Sequence, residues 1–209
     1  MQKNVRTLAT ASGIALALTL TACGAPADEQ EGAGNGSTAP PAAASADADS
    51  SAAHNDADTQ FAQMMIVHHE GAIEMAELAA EKGASPEVRE LGERIAGAQG
   101  PEIDLMTSWL QAWDEELPSE TDMGGMDHGS MEMDGMDQEA VMSELTTLSG
   151  SDFDRRFLEL MTDHHRGAIE MAEEHRAEGE NAEAVQLSGK IIDDQTAEIT
   201  EMTNLLADL

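Results

Sequence analysis

A histidine doublet opens two nearly identical segments, "HHEGAIEMAE" from His68 and "HHRGAIEMAE" from His164, which lie 96 residues apart. In each copy a methionine stands three residues before the first histidine and another stands seven residues after it. Imidazole nitrogen binds copper, zinc and iron, and thioether sulfur favours Cu(I). The pattern therefore predicts a metal site without thiolates, built from residues that both copies share: His68, His69, Met65, Met75, His164, His165, Met161 and Met171.

The same residues also have an explanation that needs no metal. Methionine commonly fills gaps in helical cores, and a buried histidine is often a hydrogen-bonded core residue. A duplicated segment can keep its residues for packing as readily as for chemistry. Packing and metal binding therefore both remain open for the repeated segments.

The segment between the copies, "DMGGMDHGSMEMDGMD" from Asp122 to Asp137, is a stronger indication of metal binding. A glycine-rich acidic loop has no core in which to bury five methionines, so packing does not explain them. Their M-x-x-M and M-x-M spacing resembles the methionine-rich segments of extracytoplasmic copper-handling proteins. Sacrificial oxidation and an adaptable docking surface are the alternatives. The predicted ligands in this loop are Met123, Met126, His128, Met131, Met133 and Met136.

Amphipathic helices must position the two histidine doublets. At 100° per residue, His68 falls in the middle of an apolar stripe and His69 about 100° away, at its flank. The first helix of each copy is expected to begin after an acidic cluster and to end at Gly83 or Gly179. A second helix is expected from near Pro86, or near Asn181 in the second copy. Each copy is thus a helical hairpin.

The repeat extends through the second helix without a gap, as five pairs of identical residues show: Phe61 and Phe157, Leu91 and Leu187, Gln99 and Gln195, Glu102 and Glu198, Met106 and Met202. Strand signals are nearly absent, since the chain has no tyrosine and three phenylalanines. The sequence therefore predicts an all-α fold: a four-helix bundle made of two duplicated helical hairpins. We place this domain at 56–209, with the first repeat at 56–116, a methionine-rich loop at 117–137, a short extra helix near 138–148 and the second repeat at 150–209.

The N-terminal residues predict export and anchoring. Lys3 and Arg6 precede an apolar run that ends in "LTAC" at Cys23, and this ending resembles the bacterial lipobox, in which the cysteine carries lipid. Residues 1–23 are thus a predicted lipoprotein signal peptide and 24–55 a disordered tether. The predicted location is the extracytoplasmic face of the cell membrane, held by the lipid on Cys23. An ordinary secretory signal with an incidental cysteine, or a short membrane anchor, is the alternative.

Charge and cysteine content exclude several classes of function. The formal net charge is −32, which argues against nucleic acid as a partner because such binding needs a basic surface. Cys23 is the only cysteine, so disulfides and thiolate metal sites are excluded from the folded part. We find no serine or cysteine nucleophile constellation, phosphate-binding loop or dinucleotide motif, and no enzymatic activity is predicted. The sequence does not indicate a protein partner.

The repeated MxxHHxGAIEMA motif, followed downstream by Gln-x-x-Glu-Ile-x-x-Met, is similar to the motif of the domain-of-unknown-function 305 family. The resemblance covers 56–209 apart from the loop. It implies an exported bacterial four-helix protein with a ferritin-like arrangement, and some members are associated with copper binding and resistance. By position, the paired histidines of the family are His68, His69, His164 and His165, with Met75 and Met171 after them.

These observations predict an extracytoplasmic, lipid-anchored protein that binds copper as Cu(I), for sequestration, tolerance or relay. One alternative is a metal-free structural or interaction bundle. Another is a ferritin-like di-iron oxidase, which needs Glu-x-x-His on two helices. Neither helix with the histidine doublet carries Glu-x-x-His, because methionine and not glutamate stands three residues before the first histidine, at Met65 and Met161.

Overall fold

The structure is a computed structural model that describes residues 53–118 and 138–209. These residues form five helices and no strand: α1 Asp56–Lys82, α2 Pro86–Trp113, α3 Gln138–Thr147, α4 Gly150–Glu178 and α5 Ala182–Asp208. The all-α prediction is confirmed, and the short helix expected after the loop is α3. Cys23 and the six loop residues predicted as ligands lie outside the described residues, as do the signal peptide and most of the tether.

Polar side chains begin the hairpin helices. Asn55 caps α1 in a capping box with Asp58, and Ser85 caps α2 just before Pro86. The Asn181 side chain accepts hydrogen bonds from the first turn of α5. The sequence prediction that acidic clusters cap α1 and α4 is wrong in detail. Asp58 lies inside the first turn of α1, and α4 begins at Gly150, before its acidic residues.

Two antiparallel hairpins, α1 with α2 and α4 with α5, pack together mainly through α1 and α4. These two helices also run antiparallel, since Asp58 at the start of α1 meets His175 near the end of α4. The helices α2 and α5 touch each other only sparsely. The core has two apolar clusters, one around Met75 and Phe157 and the other around Met65 and Trp109.

The first helix of each hairpin carries an aspartate that binds the loop of the other hairpin. The carboxylate of Asp58 accepts hydrogen bonds from the backbone N–H groups of Glu180 and Asn181, at 3.1–3.2 Å. Asp154 accepts from the N–H groups of Ala84 and Ser85 at 2.7 and 2.8 Å. The equivalent residues are 96 positions apart, so the duplication has produced two matching ties across the joint between the hairpins.

The helix α2 runs without a break through Pro101. Proline has no N–H to donate and is usually costly inside a helix, and here it lies on the exposed side of α2. In the two described ranges, no helix combines the length and the apolar character needed to cross a membrane.

Candidate metal centre

The first histidines of the two doublets lie against each other where α1 and α4 cross. The ring centroids of His68 and His164 are 3.6 Å apart and the ring planes are tilted by 45°. The two residues are only 3% and 4% exposed. The antiparallel packing of two equivalent helices thus brings together residues that are far apart in the chain.

The second histidine of each doublet is also buried and pairs with a glutamate of its own hairpin. His69 Nε2 lies 2.9 Å from Glu102 on α2, and His165 Nε2 lies 2.7 Å from Glu198 on α5. Both histidines are fully buried, although helical periodicity predicted only a flanking position. The glutamates fix the orientation of the rings, because a carboxylate holds the proton on the nitrogen that faces it.

Most of the buried polar atoms without a hydrogen-bond partner among the described residues belong to this region. On the histidines these atoms are Nδ1 and Nε2 of His68, and Nδ1 of His69, His164 and His165. Gln99 and Gln195 lie one helical turn before the two glutamates, and the side-chain oxygen of each is also buried without a hydrogen-bond partner. An unpaired buried polar group costs roughly 1–3 kcal/mol. Such a concentration of donors and acceptors indicates a polar ligand or an ion as the partner.

Burial keeps the central histidines neutral. Desolvation lowers the pKa of His68 well below its usual value, and the nearby His69 and His165 lower it further. The pKa of His164 is lowered in the same way, first by burial and then by His68, His165 and His69. A metal ion binds the unprotonated imidazole. Ring nitrogens are therefore available to a cation at neutral pH and below.

The predicted methionine ligands lie on both sides of this histidine layer. Met65 and Met171 belong to one apolar cluster, and Met75 and Met161 belong to the other. All four are buried, and packing accounts for them. Within the described residues, no three side chains of the His, Cys, Asp or Glu type form a group that could hold a metal ion. Coordination by several histidines would thus require the adjacent rings of His68 and His164 to turn, with sulfur or amide oxygen completing the ligand set.

Several polar partners of the centre were not assigned from the sequence. Glu102 accepts from Lys190 Nζ at 2.9 Å as well as pairing with His69. Burial raises the pKa of Glu102, but hydrogen bonds from His69 and Lys190 outweigh this effect and lower it. The repeated Gln-x-x-Glu motif was the available signal for Glu102 and Glu198. Helical periodicity placed the motif on the inner face without identifying its partners.

A second buried network lies at one end of the bundle. His175 Nε2 is 2.8 Å from Asp58, and its Nδ1 is 2.6 Å from the hydroxyl of Ser188. The ring stacks on Phe61, with centroids 4.1 Å apart. These residue types resemble a hydrolytic triad, but all three side chains are buried and Ser188 also contacts the backbone oxygen of Ala184. The network joins the hairpins and offers no nucleophile to a substrate.

The edge of the bundle holds another histidine that the sequence placed in the tether. The His54 ring stacks on Trp113 with centroids 4.5 Å apart, and its Nε2 lies 3.3 Å from Glu115. The contact extends the apolar cluster of α2 toward the start of α1. His54 therefore belongs to the packing of the helical domain.

Comparison with known proteins places the chain in a family. The family model "Domain of unknown function (DUF305)" matches residues 58–206. A DUF305 fragment from Deinococcus radiodurans is 30% identical, with a TM-score of 0.65, covering 74% of this chain and 98% of its own. A DUF305 protein from Streptomyces coelicolor, assigned as secreted, is 34% identical, with a TM-score of 0.62 and coverages of 73% and 93%.

Copper-bound structures are among the similar proteins. CopM in its Cu(II)-bound form is 34% identical, with a TM-score of 0.61, and covers 72% of this chain and 96% of its own. CopM has also been solved in Cu(I)-bound and Ag-bound forms. No curated protein matches the chain. The match to the family model spans most of the chain and includes both histidine motifs, and the protein therefore belongs to the DUF305 family.

Proposed function

We propose that this protein binds copper outside the cytoplasm and holds or relays it as Cu(I). The observation that carries the proposal is the layer of four buried histidines, in which five ring nitrogens lack a hydrogen-bond partner among the described residues. Two of these rings stay neutral because their pKa values are lowered by burial. CopM, a related protein, has been solved with copper and with silver.

Each part of the proposed site has a distinct role. His68 and His164 bind the ion from opposite hairpins, and His69 and His165 add Nδ1 while Glu102 and Glu198 hold their other nitrogens. The buried methionines Met65, Met75, Met161 and Met171 supply soft sulfur on either side of the layer.

The methionine-rich loop is proposed as a second copper site, with Met123, Met126, His128, Met131, Met133 and Met136 as ligands. The structure supports a connection at one end of that loop. Gln138, the first residue of α3, donates a hydrogen bond of 3.0 Å to the backbone oxygen of Gly71. Gly71 lies three residues after His68, so the residue that follows the loop lies one helical turn from the histidine layer. We infer that copper passes between loop and bundle.

The proposal includes attachment to the membrane through lipid on Cys23, at the extracytoplasmic face. Cys23 is the only cysteine and follows an apolar segment of the kind that directs export. A tether of about 30 residues would hold the helical domain roughly 30 Å from the anchor. Metabolic labelling with a palmitate analogue tests this part separately, and loss of the label in Cys23→Ser is the expected result.

Competition titration with a chromophoric Cu(I) chelator, combined with native mass spectrometry, tests the central claim. We expect at least one Cu(I) per chain at nanomolar free copper. Absence of binding at that level would contradict copper binding and favour a metal-free interaction bundle. Iron that copurifies and consumes dioxygen would instead indicate an oxidase.

Matched variants separate the two proposed sites. Changing the five loop methionines to leucine should remove the loop copper and leave the bundle copper. The double variant His68→Leu with His164→Leu should do the reverse. His54→Leu is the control, since it removes a histidine that stacks on Trp113 at the edge of the bundle.

A further inference from the structure

The two glutamates that hold the histidine layer differ in their charge partners. Glu102 is paired with His69 and also with the ammonium of Lys190, at 2.9 Å. Glu198 is paired with His165, and no lysine or arginine among the described residues forms an ion pair with it. Glu198 is also the more exposed side chain, at 21% against 12%. The charge of Glu102 is thus neutralised by the Lys190 ammonium, and the charge of Glu198 has no such lysine or arginine partner among the described residues.

The sequence explains this difference. Arg94 and Lys190 are equivalent, 96 residues apart, and Arg94 pairs with Glu201 across the gap between α2 and α5. The position equivalent to Glu201 is Leu105, so Lys190 lacks the counterpart of the partner that Arg94 has. Its ammonium instead binds Glu102, and also Asp194 at 2.6 Å. These two hydrogen bonds raise the pKa of Lys190, which therefore stays charged.

A surface groove lies beside Lys190. The groove has a volume of about 370 Å³ and lies between α2 and α5, and it is lined by Leu105, Trp109, Glu183, Gln186, Leu187 and Lys190. Lys190, which lines this groove, pairs through its ammonium with Glu102, and Glu102 in turn contacts the buried His69. A cation approaching here meets a like charge and must displace it from the carboxylate.

We propose that a metal cation enters the histidine layer past Glu198, and that Lys190 closes the equivalent route past Glu102. This inference rests on the proposed metal binding and adds the direction of entry to it. An uncovered carboxylate attracts the cation and gives it a first ligand close to His165. Lys190 is then a positioning residue: the site is nearly symmetric, and Lys190 makes the metal ion enter on the Glu198 side.

Rapid-mixing measurement of Ag(I) binding tests the proposal. Ag(I) is a soft cation that does not need an anaerobic reductant, and Trp109 and Trp113, the only tryptophans, report its arrival by fluorescence. The protein carries leucine at the five loop methionines and at His128, so that all the proposed loop ligands are removed. We compare it with Lys190→Gln and with Arg176→Gln, which removes the same charge from an exposed position of α4.

Lys190→Gln should raise the association rate constant roughly two- to tenfold, because a second route opens. Arg176→Gln should change it by less than about twofold. Equal rate constants for the two variants would overturn the role of Lys190. Absence of any Ag(I) binding would instead overturn the proposed function itself, so the two failures are distinct.

A second variant places a lysine beside Glu198, in the way that Lys190 lies beside Glu102. Arg94→Lys together with Glu201→Leu copies the pair at positions 190 and 105, and the new ammonium should turn to Glu198. We expect the association rate constant to fall about threefold or more while the secondary structure is unchanged. An unchanged rate constant would overturn entry past Glu198.

Discussion

The carboxylate of Asp58 and the imidazole of His175 meet at 2.8 Å across the joint between the two hairpins, and both side chains are buried. Asp58 also accepts hydrogen bonds from the backbone at Asn55, Glu180 and Asn181. Among the described residues, its equivalent in the second copy, Asp154, accepts hydrogen bonds from the backbone of Ala84 and Ser85 alone. One end of the joint is therefore held by more polar contacts than the other.

Asp58→Asn should destabilise the protein more than Asp154→Asn. Loss of the Asp58 charge leaves His175 and three backbone N–H groups poorly paired in a buried place, and each poorly paired buried group typically costs about 1–3 kcal/mol. Asp154→Asn weakens two hydrogen bonds and should cost about 1–3 kcal/mol. Urea unfolding at pH 7 gives both values. Equal losses would mean that His175 adds nothing to the joint.

The fold was predictable from the chain because its signals are local. Pro86, Gly83 and Gly179 mark helix ends, and a fixed offset of 96 residues reveals two copies of one hairpin. The two copies are also sufficient to predict that His68 and His164 are equivalent. Antiparallel packing of equivalent helices then makes equivalent central residues neighbours.

The polar partners were not predictable, because they depend on how the helices are rotated and offset against each other. Asp58 looked like a helix cap, and its main partners lie about 120 residues away. His54 looked like a tether residue and stacks on Trp113. Lys190 turns to Glu102 because position 105, the equivalent of Glu201, is a leucine. A helical wheel shows one helix at a time and does not reveal such a contact between two helices.

The close contact between α1 and α2 at Gly92 gives a second prediction. A Cβ atom at Gly92 would collide with the backbone oxygen of Ala76 and would lie 3.0 Å from the nitrogen of Ala80. Gly92→Ala should therefore separate the helices and cost about 1–3 kcal/mol. Gly97→Ala is the matched control on the same helix, since nothing lies within 4 Å of its Cβ position.

Gly97→Ala should stabilise the protein by about 0.5–1 kcal/mol, because alanine favours the helix. Thermal unfolding of both variants is the measurement. Stabilisation by Gly92→Ala would show that α1 and α2 are less tightly packed there than the structure places them.

The metal-free protein should lose stability as the pH falls below about 6.5. The pKa values of His68 and His164 are lowered in the folded protein by burial, then by neighbouring histidines. Below the unfolded pKa of about 6.5, the unfolded chain binds protons that the folded chain does not, so acid favours unfolding. The loss is at most about 1.4 kcal/mol per histidine for each pH unit.

Urea unfolding between pH 7.5 and 5.5 measures this dependence. The double variant His68→Leu with His164→Leu should show a flatter profile. Asp58 makes the free energy of unfolding depend on pH as well, but in a more acidic range. Burial raises its pKa, hydrogen bonds from Asn55, His175, Glu180 and Asn181 outweigh that effect, and its contribution is lost only as the pH falls below about 4.

Glu102→Gln and Glu198→Gln should each weaken Cu(I) binding in the bundle. Each glutamate fixes the ring of a buried histidine, at 2.9 Å for His69 and 2.7 Å for His165. Loss of such a partner typically costs 10- to 100-fold in metal affinity. Chelator competition measures the affinity, and Glu173→Gln is a control because Glu173 is exposed on α4. Unchanged affinity in both variants would exclude His69 and His165 from the site.

Metal binding in the bundle should raise the unfolding temperature, since a ligand that binds only the folded state stabilises it. At a free Ag(I) concentration 100 times the dissociation constant, the gain is about 2.7 kcal/mol. The variant with leucine at the five loop methionines should keep this gain, because its histidine layer is intact. The variant His68→Leu with His164→Leu should lose it, even if its loop still binds the ion. A gain that disappears with the loop methionines and survives the loss of both histidines would place the stabilising site in the loop, and the buried histidines would then be part of the core alone.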